Sequence, residues 1–141
     1  MALTTGRNTI QMGTRSIADA YPLPVKAGTK IYAGALVVLN GGYAAPGGVA
    51  TGLIAAGRSE TTVDNTNGAD GAVSADVRPG IYRYKNSTAG DAIAQADAGT
   101  DCFIVDDETV AKTNGTNTRS RAGKIIGVDS NGVWVQLGIG V

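Results

Sequence analysis

Apolar and polar positions alternate with a period of two at several points along the chain, and each such stretch ends at glycine, proline or asparagine. Val73, Ala75 and Val77 alternate with Ser74, Asp76 and Arg78, which predicts a strand with one buried face. Pro79-Gly80 breaks it, and Ile81 to Asn86 follows with Tyr82 and Tyr84 on one face and Ile81, Arg83 and Lys85 on the other. Ala35 to Asn40 is almost continuously apolar, so that strand is predicted to be buried on both faces. Gly41-Gly42 then makes a hairpin-type turn into Tyr43-Ala44-Ala45, which Pro46-Gly47-Gly48 stops. Thr51 to Val63 reads as one long strand with a bulge or bend at Gly57.

Other stretches read as connections. Lys26 to Thr29 is a turn, and Asp64 to Gly71 and Thr113 to Arg121 are exposed loops rich in residues that tolerate left-handed backbone. Asp91 to Asp97 suits one short helical turn, and Cys102 to Val105 and Thr109 to Lys112 suit short strands. At the C-terminus, Lys124 to Val128 and Val133 to Leu137 flank Asp129-Ser130-Asn131-Gly132. A type I′ turn at Asn131-Gly132 would set Val128 opposite Val135 and Ile126 opposite Leu137, with Trp134 diagonal to Gly127. Tyr21-Pro22-Leu23-Pro24-Val25 must be extended, and its prolines confine it to a sheet edge. Residues 1–20 are polar without alternation and read as an extended N-terminal arm, leaving 21–141 as one β domain. Ala27-Gly28-Thr29-Lys30-Ile31 is echoed by Ala89-Gly90-Asp91-Ala92-Ile93; this supports a shared turn-and-strand unit and no more.

Composition agrees with an all-β chain. Hydrophobic residues make up 43% but aromatics only 5%, so the core must be built from Ala, Val and Ile. β-Branched residues suit pleated sheets, and 21 glycines supply tight turns. With only six Leu, long amphipathic helices are missing. Net charge is zero but segregated. Residues 1–30 hold four basic residues against one acid, 60–108 hold ten acids against three basic residues, and 112–124 hold four basic residues and no acid. Two readings stay open: solvated loops, or charge complementarity between copies or with a partner surface. Neither basic segment is dense enough to suggest nucleic-acid binding. The start has no apolar signal region, and the longest apolar run is far below the ~20 residues of a membrane helix. A soluble product of the cytoplasm is expected, with no membrane partner.

The chain has no histidine, which removes Ser-His-Asp and Cys-His catalysis and histidine metal sites. Cys102, beside Phe103-Ile104-Val105, reads as a buried inert thiol, and a single cysteine leaves no intramolecular disulfide framework. Asp106-Asp107-Glu108 is the densest acidic cluster, either a solvated strand end or a site for a hard cation or acid–base work. The loop with Asp64, Asn65, Asn67 and Asp70 fails the alternating ligand pattern of a calcium loop at Thr66 and Gly68. No cofactor is expected. Tyr82 and Tyr84 either form an interface, where tyrosine is enriched, or pack within the chain.

From about Tyr21 to Leu137 the chain resembles the capsid cement or head-decoration proteins of Mu-like and related tailed bacteriophages. The resemblance lies in VKAGTKIYAGALVVLNGGYAAPG (Val25 to Gly47), in the stretch from Val63 to Gly115, and in RAGKIIGVDSNGVWVQL (Arg121 to Leu137). It implies a β-sandwich or barrel, jelly-roll-like in some members, with no enzymatic activity. It also implies a virion protein, made in the host bacterial cytoplasm, that binds outside the major capsid protein lattice and bridges capsomers. A homotrimer is favoured over a homodimer, and the interface candidates are Arg7, Arg15, Tyr21, Tyr82 and Tyr84. The alternative is a carbohydrate- or receptor-binding module of a phage tail or surface, with Tyr82 and Tyr84 as its aromatic platform.

Overall fold

The computed structural model describes residues 4–8 and 19–141. Most of the expected arm, Arg15 included, lies outside them. The described residues form strands β1 (Tyr21–Pro24), β2 (Lys30–Ile31), β3 (Leu36–Asn40), β4 (Tyr43–Pro46), β5 (Ile54–Ser59), β6 (Val63–Asp64), β7 (Ser74–Arg78) and β8 (Gly80–Tyr84). Beyond these run β9 (Asp101–Ile104), β10 (Val110–Ala111), β11 (Arg121–Asp129) and β12 (Gly132–Leu137). The fold is all-β, as the alternation predicts. One five-stranded sheet has the order β1-β7-β5-β3-β4 and the other β10-β9-β11-β12-β8, with β2 and β6 as a separate ribbon. The first sheet is complete before the second begins, so strands do not interleave between sheets as in a jelly roll.

Local chemistry explains the elements. β1 is an edge strand, paired only to β7 within its sheet. The Val25 N–H donates to Val73 O at 3.0 Å. By alternation, Pro22 and Pro24, which have no N–H to give, face away from β7. Gly41 and Gly42, at φ 60° and 88°, make the tight β3–β4 hairpin. The long strand expected over Thr51 to Val63 is split into β5 and β6. Gly57 falls at a bulge, since Val37 pairs with Gly57 but Val38 pairs with Ala55.

β3 is buried on both faces and thereby separates two cores. Val37 joins Val25, Ile31, Ala35, Ala44, Ala56, Ala75 and Val77 inside the first sheet. This sheet curls until Val25, just after β1, makes a parallel bridge to Ala44 of β4. Leu36 and Val38 point the other way. With Ala45 and Ala55 they pack against Tyr84, Ile93, Cys102, Ile104, Val110, Ala122, Ile125, Val133, Val135 and Leu137 of the second half. The second sheet is also drawn together, by a parallel bridge from Lys85 to Thr109.

Two further local expectations are corrected. The helical turn over 91–97 is two 3-10 turns, Ala89–Asp91 and Gln95–Asp97. The C-terminal hairpin forms, but its turn is Ser130-Asn131, because Asp129 pairs with Gly132. Val128 therefore faces Val133, Trp134 faces Gly127 directly, and a bulge leaves Ile126 in solvent. Asp129 decides the turn: its Oδ1 accepts the Asn131 N–H at 2.7 Å, and no positive φ is needed at Asn131. Gly132 serves β8 instead, for a Cβ there would strike the Tyr84 carbonyl.

Candidate interaction surface

Among the described residues, the sequence candidates do not form one surface. Arg7 is exposed in the short described N-terminal segment, and Arg15 lies outside the described residues. Tyr21 is half-buried and lines a shallow depression of about 100 Å³ with Pro79, Ile139 and Val141. Tyr84 is only 5% exposed and sits in the larger core. Tyr82 lies under the Arg58 guanidinium, 4.3 Å from its ring centroid, and its hydroxyl donates to Arg78 O at 3.1 Å. The tyrosines face inward because their strand buries the Tyr82–Tyr84 side, so packing within the chain decides their place. They form no stacking platform for a sugar.

The opposite face of the same strands is the one that meets solvent. Ile81 and Arg83 on β8, Trp134 and Gln136 on β12, and Lys124 and Ile126 on β11 project outward. Ile81 is 46%, Trp134 37% and Ile126 48% exposed. Trp134 is held in place: its indole N–H donates to Asp129 Oδ2 at 2.9 Å, and the Arg83 guanidinium lies 5.5 Å from its ring centroid. A second exposed apolar group comprises Ile54, Ile139 and Val141. Ile54 and Val141 line a depression of about 170 Å³ with Leu53 and Arg121, while Ile139 borders the one beside Tyr21. The β alternation puts Ile81 opposite Tyr82 and Tyr84, and Trp134 opposite Val135, without saying which face meets solvent; that a bulge would expose Ile126 has no sequence signal.

Much of the charge segregation resolves inside the chain. Lys112 pairs with Asp97 at 3.5 Å, Arg119 with Asp91 at 3.3 Å, and both Arg121 and Lys124 with Asp101 at 2.8 Å. The basic segment near the C-terminus thus neutralises part of the acidic middle across strands and loops. The thiol of Cys102 is buried and pushed up to about 12 by desolvation, so it is held protonated.

The acidic cluster is a turn. Asp106 Oδ1 accepts the Glu108 N–H at 2.9 Å, and Glu108 pairs with Lys85 at 2.8 Å. Burial raises the Asp107 carboxyl, which lines an open depression of about 280 Å³ with Tyr32 and Gly34. In the 64–71 loop, Asn65 is turned inward and its amide donates to the carbonyls of Val25, Lys26 and Ala69 at 3.0–3.1 Å. Asp70 Oδ1 accepts the Ala27 N–H at 2.8 Å. These side chains serve the loop's own backbone. Among the described residues no group of three or more His, Cys, Asp or Glu side chains is placed to hold a metal ion. No helix among them is long and apolar enough to cross a membrane.

No family model, curated protein or solved structure matches the chain.

Proposed function

We propose that the chain is a structural virion protein that binds the outside of a tailed-phage capsid lattice and stabilises it by bridging capsomers. The observation that carries the reading is the outer face of β8, β12 and β11. There Trp134, Ile81 and Ile126 are exposed on rigid paired strands, and Arg83 and Asp129 fix the tryptophan. Tryptophan and arginine are the side chains that dominate the energy of protein interfaces. A preordered aromatic on a sheet also loses little conformational entropy on docking. The sequence resemblance supplies the kind of partner, the major capsid protein. Each contact can be modest, because many copies on a closed shell act together.

Particles assembled without this chain test the reading. They are expected to form normally but to release their DNA at a lower temperature than complete particles, and adding back the purified chain restores the difference. Particles equally heat-stable with and without it would overturn the proposal.

A further inference from the structure

We infer that the chain is a tandem duplication of one five-stranded unit, 21–78 and 80–137, and that the halves bind each other head to tail through the outer face of β4-β3-β5. Number each half's sheet strands in chain order. Both sheets then read first-fifth-fourth-second-third: β1-β7-β5-β3-β4 and β8-β12-β11-β9-β10. In both, a parallel bridge joins the end of the first strand to the third, Val25 to Ala44 and Lys85 to Thr109. The Lys26 N–H donates to Ala44 O at 2.9 Å, as the Lys85 N–H does to Glu108 O at 2.7 Å.

The correspondence reaches individual rungs. Tyr21↔Val77, Pro22↔Asp76, Leu23↔Ala75 and Pro24↔Ser74 match Gly80↔Leu137, Ile81↔Gln136, Tyr82↔Val135 and Arg83↔Trp134 in order. The second and fourth strands of each half carry a bulge at the same place. Ala56 is skipped between Val37↔Gly57 and Val38↔Ala55, and Ala122 between Cys102↔Gly123 and Phe103↔Arg121. The residues there are Ala56-Gly57-Arg58 and Ala122-Gly123-Lys124. Before the second strand, Gly34 and Gly99 share φ values of 87° and 88°. The Gly34 N–H donates to Ser59 O, and the Ser59 N–H to Ala35 O. The Gly99 N–H donates to Ile125 O, and the Ile125 N–H to Thr100 O. The cores align too: Val25 with Tyr84, Ile31 with Ile93, Val37 with Cys102, Ala56 with Ala122, and Val77 with Leu137. The echo of Ala-Gly-x-x-Ile in the sequence is the remnant of this match. The halves differ at several points: among them, the Lys85 N–H bonds Glu108 O, two residues before Val110, which by register is the counterpart of Ala44. Arg58 pairs with Arg78 where Lys124 pairs with Gln136, a slip of two residues, and the β2–β6 ribbon has no counterpart strand pair in the second half.

The contact between halves is not symmetric. Leu36, Val38, Ala45 and Ala55 of the first half close over the second half's core. Across the same junction the Leu36 N–H donates to Asp107 O at 2.8 Å. The Ser120 hydroxyl accepts the Leu53 N–H at 3.0 Å and donates to Ala50 O at 2.7 Å. By register, the second half has Asp101, Phe103 and Arg121 where the first has Leu36, Val38 and Ala55. Arg121 and Lys124 both pair with Asp101 there, so this half-buried face carries charge where the first half's is apolar, although Ala111, the counterpart of Ala45, is buried as well. A head-to-tail contact can repeat without closing, and a polar outer face on the last unit ends the array.

A protease site inserted between Arg78 and Pro79 of the full chain tests the inference, with Trp134, the one tryptophan, reporting on the second half. After cleavage the halves are expected to stay together one to one, by native mass spectrometry, with unchanged Trp134 emission. Ala55→Arg gives the first half the residue its counterpart holds, and is expected to release the halves at least tenfold more readily. Arg121→Ala makes the reciprocal change and is expected to leave them together. Cleaved halves that separate or unfold without any substitution would overturn the inference. So would an Ala55→Arg protein that holds together, or an Arg121→Ala protein that falls apart.

Discussion

The indole N–H of Trp134 donates to the carboxylate of Asp129 across the C-terminal hairpin, at 2.9 Å. The same carboxylate accepts the Asn131 N–H, so one side chain both shapes the turn and orients the exposed indole. Asp129→Ala removes both acceptors. It is expected to lower the melting temperature and shift Trp134 emission to the red, with Asp129→Asn, which keeps one oxygen acceptor, falling between. A variant with wild-type emission would show that Asp129 does not hold the ring.

Acid should weaken the fold through several carboxylates at once. Asp64 is held below the usual carboxylate range by Thr66, Asp91 by Thr113, Asp97 by the Ala94 N–H, Asp101 by Lys124 and Arg121, and Asp129 by Trp134. Each is more acidic folded than unfolded. Its contribution is therefore complete above the unfolded value of about 4 and is lost as pH falls through the folded value. Asp107, raised by burial, works in the opposite direction. With no histidine to titrate, melting temperature should be nearly flat from pH 8 to about 5 and fall steeply below about 4. Thermal melts across that range check it; a transition near pH 6 would contradict it.

Tyr84 carries a buried hydroxyl with no hydrogen-bond partner among the described residues. Burial accordingly pushes its ionisation well above the ordinary tyrosine value. Removing an unsatisfied buried hydroxyl while keeping the ring relieves a desolvation cost of about 1–3 kcal/mol. Tyr84→Phe is expected to leave the denaturant midpoint unchanged or raise it, whereas Tyr84→Ala, which empties the ring's volume, costs about 3–5 kcal/mol. A Phe variant that unfolds at lower denaturant would reveal a partner for the hydroxyl.

Gly57 and Gly123 sit at the matching β3–β5 and β9–β11 bulges, and a methyl group at either would strike a backbone carbonyl, of Arg78 and Gln136 respectively. Backbone cannot step aside as a flexible side chain would. Gly123→Ala is expected to cost about 1–3 kcal/mol by overpacking. Gly57→Ala should cost more, since φ there is 146° and strain adds to the clash. Urea denaturation of the two variants measures both; a neutral Gly57→Ala would mean that β5 and β7 separate easily.

What the sequence disclosed follows the physics of each element. The Pro22-Pro24 edge, the Gly41-Gly42 turn, the burial of β3 on both faces and the Gly57 bulge are set by residues adjacent in sequence, so local rules find them. The hairpin register was not legible, because an Asp129 side chain and a close approach of β8 to Gly132 override the intrinsic preference of Asn-Gly. Alternation placed Tyr82 and Tyr84 on one face but not which face was buried; that depends on Arg58 and the core beyond it. The duplication was nearly invisible for a related reason. Core positions exchanged Val25 for Tyr84 and Val37 for Cys102 while the backbone pairing persisted.

Sedimentation of the purified chain with capsid shells stripped of it tests the proposed role most directly. Saturable binding is expected, at a fixed ratio to the major capsid protein, weakened at least tenfold by Trp134→Glu in a variant that melts like the parent. A chain that stays in the supernatant at every shell concentration, or binds without saturating, would contradict it.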